Sequence, residues 1–108
     1  MDTVIALNHD HMGHGDTVLG ARILKTFLQK ARALGGLEAI VLFNGGVQLV
    51  AADSPVFTEL TLLQEHGVDV IPCGTCLTHF DVTPAVGNVA SMDDIIRAMD
   101  HAQKVITL

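Results

Sequence analysis

Apolar residues arrive in short, dense runs along this chain. Residues 3–8, 38–43 and 68–72 are short runs rich in Val and Ile, with almost no polar alternation. Runs of that kind predict strands buried on both faces. Lys104, Val105, Ile106 and Thr107 predict a closing strand, and Val89 with Ala90 a very short one before it. Val47 to Val50 reads as a brief extended piece.

Between the runs, apolar positions step by three and four. Leu24, Phe27, Leu28, Ala31 and Leu34 mark one stripe of a helix that Asp16 caps and Gly35-Gly36 ends. Gly20, near its start, suits a close approach to the sheet. Ser54-Pro55 predicts a second helix start, with Phe57, Leu60 and Leu63 facing inward and Gly67 as the stop. Leu77, Thr78, His79 and Phe80 suit the start of a short helix. Ser91-Met92-Asp93-Asp94 resembles a capping box for a helix through Met92, Ile95, Ile96, Met99 and Ala102. Strands alternate with helices from end to end. The expected fold is therefore α/β, one three-layer α/β/α domain over residues 1–108 with a mainly parallel sheet of about five strands.

Composition narrows the function classes. Apolar residues make up 49% of the 108, which argues for a packed core. Aromatics are only 4%, so stacking platforms for single-stranded nucleic acid are missing. The net charge of −6, with scattered Lys and Arg, argues against nucleic-acid and anionic-membrane partners. No apolar run reaches the ~18 residues of a membrane span. The first residues lack the basic and apolar pattern of a signal peptide. A cytoplasmic location is the expectation, and there a close cysteine pair is catalytic, redox-active or metal-binding more often than structural.

The candidate chemistry centres on Cys73-Gly74-Thr75-Cys76, which holds both cysteines of the chain. It follows a predicted strand and precedes a predicted helix. The carboxyl ends of all strands in a parallel sheet share one rim, where α/β proteins usually place their sites. The loops at residues 9–15, 44–46 and 73–76 should meet there. A helix amino end favours thiolate, which points to Cys73, with Cys76 one turn on as a resolving thiol. Gly74 would leave room for the close approach of a partner's backbone or for a bulky sulfur adduct. The plain alternative is two small buried residues that happen to be cysteines.

His9, His11 and His14 crowd the first loop, and His79 follows Cys76 by three. Cys73, Cys76 and His79 with His9 or His11 form an alternative zinc set, although the second ligand pair, which zinc sites usually carry at tight spacing, is ambiguous here. A polar loop also tolerates histidine without any such role. A proton-shuttling part for a histidine or Asp10 beside the thiols fits the pattern better. Gly13-His14-Gly15-Asp16 begins like a dinucleotide fingerprint. Val18 occupies the third small position, and Asp16 puts negative charge where a pyrophosphate would lie, so no nucleotide cofactor is expected. The expected pocket lining is His9, Asp10, Gly13, Asp16, Asn44, Gly45, Gly74 and Thr75.

Across nearly its whole length the chain resembles the DsrE/DsrF-like family of sulfur-relay proteins. Within that family it resembles the DsrE-like domain of selenium-metabolism sulfurtransferase-like proteins. The likeness rests on Gly13-His14-Gly15-Asp16 with Leu19-Gly20, on Phe43-Asn44-Gly45-Gly46-Val47, and on Gly67-Val68 before Cys73-Gly74-Thr75-Cys76-Leu77. Val86-Gly87-Asn88 and Lys104-Val105-Ile106 complete it. It implies a DsrEFH-like fold, a persulfide at the position of Cys73, homo-oligomers, and exchange with a small sulfur-carrier protein. The histidine cluster is not part of that pattern and leaves metal or selenium handling open. The expected function is thus a sulfur or selenium carrier or a sulfurtransferase-like protein. A thiol–disulfide redox module, a zinc-binding regulatory protein and a non-catalytic assembly subunit are the alternatives.

Overall fold

The first apolar run forms β1 (Thr3–Leu7), in which every residue is buried. In the computed structural model, which describes residues 2–108, it lies inside a four-stranded parallel sheet. The others are β2 (Leu37–Leu42), β3 (Asp69–Pro72) and β4 (Lys104–Thr107), in the order β3-β2-β1-β4. β1 pairs with β2 through Ile5 and Ile40, and with β4 through Ile5 and Ile106. β2 pairs with β3 through Val41 and Ile71.

The helices are α1 (Thr17–Lys30), α2 (Phe57–Glu65), α3 (Gly74–His79) and α4 (Met92–His101). α1 and α2 pack side by side. The chain steps from β1 to β2 to β3 in one direction and returns past β1 to β4. Right-handed crossovers therefore place α4 on the opposite face from α1 and α2, which gives the three layers. The core between them is aliphatic, built on Ile5, Leu24, Leu28, Ile40, Leu42, Leu60 and Ile95. No described helix is long and apolar enough to cross a membrane.

Local signals explain most boundaries. Asp16 accepts hydrogen bonds from the Val18 and Leu19 N–H groups and starts α1. Ser91 and Asp94 close a reciprocal capping box on α4, the aspartate replacing the usual glutamate. The Asp94 carboxyl is held below its usual range by the Ser91 N–H and hydroxyl, and then by Arg97.

Four expectations need correction. The sheet has four strands, because Val89-Ala90 contributes only a single bridge, Ala90 to Cys73. Asn88 and Ala90 donate to Val70 and Pro72 of β3, but Ser91 at once caps α4 and leaves no length for a strand. Residues 47–50 are not extended; Asn44–Val50 form a 3₁₀ helix that buries Val47, Leu49 and Val50. Gly20 approaches the first loop rather than the sheet, since a methyl group there would lie 2.9 Å from the Met12 carbonyl oxygen. Ser54 accepts from the Val56 N–H in a turn ahead of α2, and the helix begins at Phe57.

Candidate functional site at the thiol turn

The sheet continues for one residue past β3. The Cys73 N–H donates to the Leu42 carbonyl at 2.9 Å, and the Cys73 carbonyl then accepts from Leu77 to open α3. Cys73 is thus the N-cap of α3, with extended backbone, and is only 3% exposed within the core. α3 begins at Gly74, three residues earlier than the apolar pattern suggested, so Cys76 lies inside its first turn. Cys76 is half-buried.

The Cys76 Sγ accepts a hydrogen bond from the Asn44 N–H at 3.1 Å. Asn44 adopts φ +49°, a left-handed conformation that asparagine tolerates better than most residues. The chain can turn there because Gly46 follows. A methyl group on Gly46 would sit 2.1 Å from the Leu7 carbonyl oxygen, so the segment crosses the end of β1 in contact with its backbone.

Burial pushes the Cys76 thiol up from its ordinary value, and the adjacent Cys73 thiol pushes the same way, against the lowering pull of the Asn44 N–H. Both cysteines are free. Gly74 has a structural reason of its own. Its N–H donates to Ala90, and a methyl group there would lie 3.1 Å from the Val89 Cγ1, so it admits the 88–90 segment rather than a sulfur adduct.

The first loop reaches this place from the other side. His9, Asp10, Asn44 and Gly45 line one open cleft of about 250 Å³, together with Asn8 and Gln48. Asn8 Oδ1 is buried there without a hydrogen-bond partner among the described residues. Loops 9–15 and 44–46 therefore share the cleft, and Asn44 links it to Cys76. His11 turns aside, with its Nδ1 2.7 Å from Asp10 Oδ1 and its ring 5.3 Å from that of His9.

Other expected site residues lie apart from that junction or act structurally. Asp16 is engaged in capping α1. Gly13 takes φ +84° in the exposed loop, and His14 and Thr75 are exposed. His79 is exposed and meets the edge of Phe80 at 5.0 Å. Among the described residues no three His, Cys, Asp or Glu side chains are grouped to hold a metal ion, so the set of Cys73, Cys76, His79, His9 and His11 is not assembled.

A larger cleft, about 930 Å³, runs between the first loop, α1 and the turn before α2. Asp10, His11, Arg22, Asp53, Ser54 and Asp81 are among its lining, and neither cysteine is. Sequence reasoning did not place Arg22, Asp53 or Asp81 together, because three separate segments supply them. Neither cysteine lines the smaller cleft either, but Asn44 ties that cleft to Cys76, and the thiol turn carries the more specific chemistry, so we take it as the site.

No family model matches the chain, and no curated protein matches it. Solved structures do. A protein of unknown function, MTH1491 from Methanobacterium thermoautotrophicum, superposes with a TM-score of 0.73 at 18% identity, over 99% of this chain and 98% of that one. The ychN protein from E. coli gives 0.72 at 15% identity over 100% of both chains. BT1422 from Bacteroides thetaiotaomicron, a conserved protein of unknown function, gives 0.67 at 18% identity over 98% of this chain and 94% of that one. At these identities the likeness establishes the fold, in full length, and nothing about activity.

Proposed function

We propose that this protein is a sulfur carrier of the DsrE/DsrF-like kind. It holds a sulfane sulfur, or by the same chemistry selenium, as a persulfide on the Cys73–Cys76 pair. In that role it works in the reducing cytoplasm, as a homo-oligomer, and exchanges its cargo with a small sulfur-carrier protein. The observation that carries the reading is the hydrogen bond from the Asn44 N–H to the Cys76 Sγ, at a turn where the other thiol is buried beside it. A backbone donor aimed at sulfur stabilises charge on that atom when an S–S bond is made or broken.

The test is intact-mass analysis after incubation with a sulfane donor. A reducible adduct of about 32 Da, one sulfur atom, is expected. Its absence from the doubly substituted chain, Cys73→Ala with Cys76→Ser, shows that the pair holds it. No adduct from any sulfane donor, on the wild type or on Cys73→Ala, would remove the reading.

A thiol–disulfide redox module is the second reading, favoured by two free thiols three residues apart, Cys73 at the N-cap of α3 and Cys76 in its first turn. It requires a reversible Cys73–Cys76 disulfide, which redox titration with thiol trapping detects.

A further inference from the structure

The family likeness points to Cys73 as the sulfur bearer, but the two thiols differ in access. Cys73 is 3% exposed, with its N–H bonded to β2 and its carbonyl opening α3. Cys76 is half-buried and borders the rim through Asn44. Sulfur transfer is a displacement at sulfur in which the attacking atom must approach along the S–S axis. A persulfide carried on another protein cannot reach a side chain with that little surface.

We infer that Cys76 is the sulfur that exchanges with donor and acceptor, and that Cys73 is the internal thiol that clears an undelivered persulfide. This rests on the persulfide-carrier reading above.

Each step balances. In loading, the Cys76 sulfur loses its proton and attacks the outer sulfur of a donor persulfide. The S–S bond of the donor breaks, the donor leaves as thiolate and takes up a proton, and Cys76 becomes Cys76–S–SH. In delivery, an acceptor thiolate attacks the outer sulfur of Cys76–S–SH. The Cys76 sulfur is the leaving group, and the Asn44 N–H already points at the atom on which negative charge appears. In clearance, the Cys73 thiolate attacks the inner sulfur, Cys76 Sγ. Hydrogen sulfide departs and a Cys73–Cys76 disulfide forms, so that the sulfane sulfur is reduced and the two cysteines supply the electrons. An external thiol then restores the pair.

The wild type, Cys73→Ala and Cys76→Ser are incubated with glutathione persulfide and trapped by alkylation, with melting curves to confirm folding. The adduct should persist on Cys73→Ala and vanish from Cys76→Ser. Only the wild type should release sulfide as the disulfide forms. Retention on Cys76→Ser with loss from Cys73→Ala would overturn the assignment while leaving the carrier function standing. Equal loading of both variants would overturn it as well. No adduct on any chain would remove the function itself. Native alkylation of the wild type gives an independent arm, since Cys76 should label at least about tenfold faster than Cys73, and equal rates contradict the inference.

Discussion

The turn that carries the two cysteines and the loop that carries three of the six histidines end strands of the same sheet, β3 and β1. They are held very differently. The thiol turn is tied to three other segments: Cys73 to Leu42, Gly74 to Ala90, and Cys76 to Asn44. The histidine loop is largely exposed and is anchored chiefly where the Met12 N–H meets the Gly20 carbonyl. Both stretches look chemically rich by residue type. Only the thiol turn has its reactive atom placed by backbone from another element. The contrast teaches that fixed convergence, rather than density of reactive residues, separates a candidate site from a polar loop.

The most disruptive way to break the contrast is Gly46→Ala. The new methyl would collide with the Leu7 carbonyl, and that atom is backbone and cannot step aside. We expect a loss of about 3 kcal/mol or more in urea unfolding. Near-wild-type stability would mean that the crossing over β1 is not needed to aim Asn44.

Asn44 itself gives a smaller, sharper contrast. Asn44→Ala keeps the N–H but puts an alanine at φ +49°, and should cost about 1 kcal/mol. Asn44→Gly removes that strain and should restore both stability and sulfur loading. If Asn44→Gly loaded poorly, the asparagine side chain, and not its backbone, would be the operative part.

The pH dependence tests the environment of Cys76. Its thiol is raised by burial first, so its alkylation rate should reach half-maximum at a higher pH than that of a free cysteine peptide. The linked stability has the same sign. The folded state holds this proton more tightly than the unfolded chain does. That contribution is complete below the ordinary thiol value and is lost as pH rises through the folded one. A half-maximum at or below the free-peptide value would show that the Asn44 N–H outweighs burial.

The smallest effect belongs to the histidine loop. His9→Ala, His11→Ala and His14→Ala combined should change sulfur loading by less than about twofold, as for exposed substitutions elsewhere. A tenfold fall would bring that loop into the chemistry.

The layout was legible where local chemistry decides it. The unbroken apolar runs gave the buried strands, Asp16 capped α1, and Ser91 with Asp94 opened α4. Residues 47–50 were misread because a short apolar run fits a strand or a buried helical turn equally well. Only the crossing at Gly46 decides between them. Gly20 and Gly74 signalled close approach, but what approaches them lies elsewhere in the chain. The bond from Asn44 to Cys76 was out of reach of any local pattern. It spans 32 positions and depends on a single left-handed residue.

The central claim is that the Cys73–Cys76 pair carries a sulfane sulfur. Its most direct test is mass spectrometry of the protein as isolated from cells with thiols trapped at lysis, repeated after exposure to a sulfane donor. The account predicts an adduct of about 32 Da on the peptide containing residues 73–76, removed by a reductant. Free thiols in both preparations, or a disulfide that forms without release of sulfide while Cys73→Ala also takes up no sulfur, would contradict it.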